Sequence, residues 1–402
     1  MPRRTGGFIG HRGLQAPDPP TAVTPTASIE EVSVAFTAPS DVGDDAITGF
    51  VVQVSTDGTD YSAGSNTGTS SPIVVSSLTG GAAATAKVWA INDYGTSAPS
   101  DASVSFTPES TANRGVFAGG IGDKDVMDYI NISSTGNASD FGDLSVARDN
   151  IAVGSLASAT RGVFGGGLPG STYSDVMDYI TIASTGNATD FGNLVVGRYA
   201  LASLSSATRG IFAGGFSGSR DDEIDYITIS STGNATDFGN LTTAGNGVSG
   251  LASTTRGVIL GFRTNNDPAV ENRIDYITIG STGNASDFGN LTQAKYVGAT
   301  LSNNTRGIFA GGYTGSAVVN EIEYITIGST GNATDFGDLS INNLELAGVS
   351  SSARGVFGGG TGPTNIMEYI TIGSAGNVTD FGDLTVARNQ LGGTSNSHGG
   401  LA

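Results

Sequence analysis

Residues 208–241, TRGIFAGGFSGSRDDEIDYITISSTGNATDFGNL, decide the fold, because the same phrase recurs with small changes through the rest of the chain. Its arginine returns as Arg114, Arg161, Arg209, Arg256, Arg306 and Arg354, at intervals of 47, 48, 47, 50 and 48 residues. A period of that size marks a repeat array, in which no single unit buries its own apolar face and each must stack on its neighbours. Within one copy, RGIFAGG and EIDYITI are β-branched and aromatic runs, and DFGNL follows the turn-rich STGNAT. A fourth run, of small residues (199–205), precedes the arginine. Four strands per copy are expected, with no segment of helical period.

Taken in order, these features resemble the kelch repeat. A small-residue strand opens at Arg198, a second strand ends in Gly214-Gly215, a third is centred on Tyr226, and the aromatic Phe238 stands where kelch usually has Trp. The glycine pair recurs at Gly119-Gly120, Gly166-Gly167, Gly311-Gly312 and Gly359-Gly360; the fourth copy instead reads GVILGFRTNND, so a locally irregular sheet is expected there. The resemblance covers residues 113–402 and implies a six-bladed β-propeller. The first copy has no innermost strand of its own, while residues 388–397 follow the sixth DFGDL without a copy of their own. The resemblance therefore implies a first blade assembled from both ends and closed by the C-terminal strand, which removes exposed sheet edges.

Upstream, residues 17–20 form a proline-rich spacer, and β signals then run to Pro108: SVAFTAP, ITGFVVQVSTDG, SPIVVSSL, ATAKVWAIN and ASVSFTP. Turn signals every ten or so residues predict a small sandwich over 16–108, followed by a linker at 109–112. This stretch resembles a fibronectin type III domain, an immunoglobulin-like sandwich. Phe36 stands where that family usually has a core Trp, and Val88-Trp89-Ala90-Ile91-Asn92 is similar to its penultimate strand. The aromatic expected near Ala84 is missing. The whole chain thus reads as all-β.

Composition limits the chemistry. The 402 residues include 62 glycines, no cysteine, two histidines and a net charge of −19. Residues 1–16 carry +3, 17–112 carry −10 and the rest −12. An acidic body repels nucleic acid and anionic membrane, and no apolar run is long enough for a transmembrane span. His11 and His398 cannot supply a histidine-based triad or a His-rich metal centre. Neither catalytic residues, nor a metal, nor a cofactor is expected. Acidic groups such as Asp221-Asp222-Glu223 or Asp41 with Asp44-Asp45 read as solvated loops rather than calcium sites.

Residues present once per copy serve the copy. The six TRG arginines are expected to pair with carbonyls or with the aspartates of the DFG string, and Asp140, Asp190, Asp237, Asp287, Asp335 and Asp380 to cap the preceding GN turn. The sequons at Asn137, Asn187, Asn234, Asn284, Asn332 and Asn377 fit turn chemistry without a glycan.

Variation between copies is more telling. The segments joining the second and third strands all differ: 121–125, 168–175, 216–222, 263–273, 313–320 and 361–365. One face is scaffold and the opposite face diversified, as where a rigid frame presents a binding surface. Arg220, Asp221, Arg263, Asn266 and Tyr313 are the candidate contacts, for host-surface glycan or protein. At the N-terminus, Arg3, Arg4, Phe8 and Arg12 form a candidate attachment arm (residues 1–15) for other particle proteins. The phrase DYITI(A/S/G)STGNA(T/S)DFG(N/D)L resembles structural proteins of tailed phages that infect marine cyanobacteria. That resemblance implies a non-enzymatic virion protein, fibre or capsid decoration, assembled in the host cytoplasm in multiple copies. An exported bacterial adhesin and a propeller-type polysaccharide-degrading enzyme remain as alternatives.

Overall fold

The computed structural model describes residues 15–28, 30–79, 82–108, 113–122, 124–265 and 269–401. Every named element is a β-strand, so the protein is all-β. The chain divides into two compact units, Met1–Thr111 and Ala112–Ala402.

In the first unit, strands Thr21–Ser28, Glu31–Thr37 and Ile73–Val75 form one antiparallel sheet, and Gly64–Gly68, Gly49–Ser55, Thr85–Asn92 and Gly95–Thr96 form another. Alternation sends Val32, Val34 and Phe36, then Phe50, Val52 and Val54, then Ala86, Val88 and Ala90 into one shared core. The rings of Phe36 and Phe50 lie 4.8 Å apart at its centre. The run ASVSFTP, expected as a closing strand, forms no strand, and makes one β-bridge, Phe106 with Ala84. A serine ladder takes the place of regular pairing. Ser97, Ser100 and Ser103 each accept, through Oγ, the N–H of Ala90, Val88 and Ala86 at 2.9–3.0 Å. Their own N–H groups donate back to the carbonyls of the same three residues. A three-residue serine period thus matches the two-residue period of the neighbouring strand, using hydroxyls as extra acceptors.

In the second unit the third copy shows the plan: Ala202–Ser205, Arg209–Ala213, Glu223–Thr228 and Thr236–Asn240 pair antiparallel in that order. In the first copy, Arg114–Ala118, Val126–Asn131 and Ser139–Asp143 are completed by Gly392–Ser395, with Gly392 opposite Ala118 and Ser395 opposite Gly115. The second copy keeps three strands. Its small-residue segment makes two isolated bridges, Ala157 to Gly162 within the copy and Val153 to Ala202 of the next, and between them Gly154, at φ +124°, lies against the backbone of Ser203 and Gly250. The irregular fourth copy is longer rather than broken: Arg256–Arg263 and Val270–Thr278 extend past their counterparts, with a register shift between Leu260 and Phe262.

Six apolar clusters fill the spaces between copies. One sets Val116, Met127 and Phe141 of the first copy against Phe164, Ile180 and Ile182 of the second. Four more join the second to the third and so on to the sixth. The last sets Val349, Met367 and Phe381 of the sixth copy against Phe117, Ile130 and Ile132 of the first. Full burial of each such phenylalanine stabilises by about 1.5–3 kcal/mol, and every copy shares its core with two others.

The repeated polar residues run between copies. Arg114, Arg161, Arg209, Arg256, Arg306 and Arg354 donate through Nη1 to the carbonyls of Ile182, Ile229, Ile279, Ile327, Ile372 and Ile132, at 2.8–3.2 Å. Each guanidinium also lies over a tyrosine of its own copy, as Arg209 over Tyr226 at 4.6 Å. The sequon asparagines do more than shape a turn: each accepts, at 3.1 Å, a backbone N–H from the last strand of the preceding copy, as Asn240 to Asn284 and, across the chain ends, Asp383 to Asn137. The DFG aspartates do not cap that turn; Asp237 instead accepts the N–H of Gly239 in its own strand. Gly239, at φ +145°, has no room for a side chain, since a Cβ would stand 2.6 Å from the Gly283 backbone of the next copy.

A further set of links is fully buried. Arg148 pairs with Asp178, Arg198 with Asp225 and Arg388 with Asp128 at 2.8–2.9 Å, and Lys295 stands 3.7 Å from Glu323. Each cation leaves one copy and meets the third strand of the next. Arg198, expected to open a strand, is therefore a buried link ahead of it. In the fourth copy the cation is replaced by Gly245 and the second glycine of the pair by Phe262. A Cβ on Gly245 would lie 2.8 Å from the Phe262 ring, whereas the matching Gly215 faces the Arg198 side chain. Arginine against glycine has been exchanged for glycine against phenylalanine, and the buried Asp275 is held by Thr242 Oγ1 at 2.7 Å and Thr242 N at 2.9 Å.

The innermost strands are built of small residues because they touch. Ser203, Ser249, Thr300 and Ser350 hydroxyls donate to carbonyls of neighbouring innermost segments at 2.7–2.9 Å. At one end of this axis the C-terminal tail packs in. His398 is 2 % exposed, with Nε2 3.3 Å from Ser205 Oγ and 3.4 Å from the Ala157 carbonyl, while Nδ1 accepts the Gly400 N–H at 3.1 Å. That arrangement fits the neutral Nε2–H tautomer, and burial pulls the imidazole down to about 4.

Candidate binding site

At the opposite end of the axis, the chain leaves each buried cation position and turns into the next innermost strand through one residue with positive φ. These are Asn150, Ala200, Gly247, Val297, Glu345 and Gln390, at φ +51° to +68°. Each N–H donates to the carbonyl of the previous member at 2.8–3.0 Å, and Asn150 donates to Gln390, so the six bonds form a closed circle. Left-handed backbone at a residue such as Val297 costs roughly 1–2 kcal/mol; the circle fixes it in all six copies regardless of side chain.

Around this circle lies a cavity of about 490 Å³, lined among others by Tyr199, Asn246, Arg263, Tyr296, Tyr313, Glu345 and Gln390. The residue before each circle member pairs with the first residue of the variable segment: Asp149 with Leu168, Tyr199 with Phe216, Asn246 with Arg263, and Tyr296 with Tyr313. In the two remaining copies Thr361 Oγ1 donates to the Leu344 carbonyl, and the Ile121 N–H to the Asn389 carbonyl. The backbone places are equivalent, yet no two copies carry the same pair of residues there.

Aromatic and cationic groups gather on the side formed by the second to fifth copies. Tyr173 and Tyr199 stack, with centroids 5.8 Å apart at 26°, and Phe216 meets Tyr173 edge to face and Tyr199 at a tilt. Tyr313 meets Tyr296 edge to face at 5.9 Å, and the exposed Arg263 lies over the Tyr296 ring at 5.6 Å. Arg220 donates through Nε to Asn246 Oδ1 at 3.0 Å and through Nη1 to Asn265. Burial, with the neighbouring Tyr173, pushes the Tyr199 phenol up, against the pull of Arg263 and Arg220. On the far side Glu345 accepts bonds from Asn389 Nδ2 at 2.7 Å and Gln390 Nε2 at 3.2 Å, and burial pushes its carboxyl up.

Of the residues singled out from sequence, Arg220, Arg263 and Tyr313 meet here. Asp221 turns into its own loop, accepting from the Ser217 hydroxyl and the Glu223 N–H at 3.2 Å. Asn266 lies outside the described residues, as do Arg3, Arg4, Phe8 and Arg12 of the arm. Tyr199, Asn246, Tyr296 and Tyr173 were missed. The first three lie in the connections between copies, outside the segments compared for variation, yet aligning the residue just after the position held by Arg148, Arg198, Lys295 and Arg388 gives Asp149, Tyr199, Asn246, Tyr296, Leu344 and Asn389. No two neighbouring copies agree at that position, and this was the available signal.

No protein-family model matches the chain, and no curated protein matches it either.

Proposed function

We propose that the protein is a non-enzymatic recognition module whose second unit is a six-bladed, kelch-like β-propeller, and that the cavity around the backbone circle binds a cell-surface glycan. One observation carries this reading: at six equivalent backbone places no two copies carry the same pair of residues while the frame repeats, and the two aromatic pairs, Tyr199 with Phe216 and Tyr296 with Tyr313, flank Asn246 and Arg263. Flat rings such as Tyr199 and Tyr296 offer apolar faces to sugar rings, and Asn246 and the arginines offer directed donors. In the same reading the first unit is a fibronectin type III-like spacer. The repeat phrase supports a virion surface protein of a tailed phage, joined to the particle through residues 1–15. The decisive experiment is a glycan array probed with the purified protein and with a Tyr199→Ala/Tyr296→Ala variant. Binding lost in a variant that melts within a few degrees of the parent supports the proposal. Binding retained would move the site elsewhere, and release of reducing ends from a bound polysaccharide would overturn the non-enzymatic reading.

A further inference from the structure

Resting on that reading, we infer that the glycan is acidic, and that Arg220 and Arg263 hold its carboxylate or sulfate group while Tyr199 supports the sugar ring beside it. Among the described residues, neither guanidinium makes an ion pair. Arg148, Arg198, Arg273, Lys295 and Arg388 all do, in a chain with 37 acidic against 18 basic residues. Among the TRG arginines, Arg161, Arg209, Arg256, Arg306 and Arg354 make no ion pair with the described residues either, but each donates to an isoleucine carbonyl of the neighbouring copy. Among the described residues the guanidiniums of Arg220 and Arg263 make no such main-chain bond, and they stand beside the cavity, Arg263 in its lining and Arg220 bonded to the lining Asn246.

Their partners position them without neutralising them. Arg220 is braced by two side-chain amides, Asn246 and Asn265, which leaves its charge intact. Arg263 lies on a tyrosine face, and the Asn246 N–H donates to its carbonyl at 3.0 Å, with a return bond of 3.1 Å. The charges of both lower the Tyr199 phenol, so all three groups share one locality. The carboxyl groups bordering the cavity are on the other side: Glu345 is tied by two amides and Asp149 is bonded to the Asn150 amide at 3.0 Å. Asp221, next to Arg220, is turned into its own loop. A planar guanidinium matches a carboxylate or sulfate through paired N–H donors, and the polarity across the cavity orients an acidic sugar with its anionic group toward the third and fourth copies.

The test is titration calorimetry of the full chain with three oligosaccharide series: a polyuronate, a sulfated galactan and a neutral galactan. Binding of one or both anionic series, weakening as salt is raised, is expected, with the preferred series identifying carboxylate or sulfate. Arg220→Gln and Arg263→Gln should each lose about tenfold to hundredfold in affinity. Both should melt close to the parent, since neither arginine bridges two carboxylates. If a variant fails to fold, the salt dependence of the parent still decides. Equal, salt-independent binding of the neutral series would overturn the acidic assignment and leave glycan recognition standing. Absence of binding to all three, together with a negative glycan array, would overturn both.

Discussion

Asp128 and Arg388 are 260 positions apart in the chain and 2.8 Å apart in space, and neither side chain is exposed. Arg388 also donates through Nη1 to the carbonyls of Gly119 at 3.0 Å and Val126 at 2.6 Å. Asp128→Ala would leave that guanidinium buried without its counter-charge, at a cost of about 3–5 kcal/mol. The melting temperature should fall by on the order of 10 °C. Asp128→Leu/Arg388→Met should recover most of the loss, since a packed apolar pair needs no compensation. Calorimetry on the three proteins checks this; an Asp128→Ala variant melting with the parent would mean the ends are held without this pair.

The fourth copy offers an exchange experiment. Gly245→Arg alone drives a side chain into the Phe262 ring, at about 1–3 kcal/mol. Phe262→Gly alone opens a cavity, at about 3–5 kcal/mol. Together they recreate the arrangement of the third copy and bring a guanidinium to Asp275, so the double variant should be more stable than either single one. Additive losses in denaturant titrations would refute the proposed correspondence between Phe262 and the arginine space.

Two residues that repeat equally well should behave differently. Arg256→Gln removes the bond to the Ile327 carbonyl and the contact with Tyr276, at about 1.5–3 kcal/mol. Asp287→Ala, in an exposed position, should stay within about 0.5 kcal/mol. Equal losses from the two would show that the aspartates also carry the frame.

His398 makes stability depend on pH. Its folded pKa, about 4, lies below the ordinary 6.5, so the unfolded chain binds a proton through that interval and the folded chain does not. The stability from the neutral imidazole is complete above 6.5 and is lost as pH falls toward 4, by about 3 kcal/mol in total. Asp225, Asp275 and Glu323 oppose this trend, because burial raises their carboxyls and protonation then favours the folded state. The difference between the parent and His398→Asn isolates the imidazole, and should shrink across that window. A constant difference would mean that His398 titrates normally.

Much of the frame was legible because local patterns repeat. Alternation and spacing give the strands, and the surplus segment after the sixth DFGDL points to the pairing of Gly392–Ser395 with Arg114–Ala118. The cross-links were less legible, since Arg198 or Asn284 looks alike whether it serves its own copy or the adjacent one; only the spatial order of copies tells. Asp178 and Asp225 sit inside β-branched runs, where a sequence pattern gives no hint that the partner arrives from about thirty residues earlier. The aromatic cluster was half visible, because Arg263 and Tyr313 lie in conspicuously variable segments whereas Tyr199 and Tyr296 do not.

The six arginine bonds all point one way. The donor sits in one copy and the accepting isoleucine carbonyl in the following one, and the asparagine links likewise tie each last strand to the copy after it. Each copy is therefore a monomer of a head-to-tail polymer, with unlike and complementary ends. Arg354 reaching Ile132 consumes the final free end within the same molecule. Were that contact opened, the sixth copy of one molecule would fit the first copy of another, and the natural product of failed closure is a fibre. The residues at the chain ends thus hold the molecule to a finite size as well as holding it together.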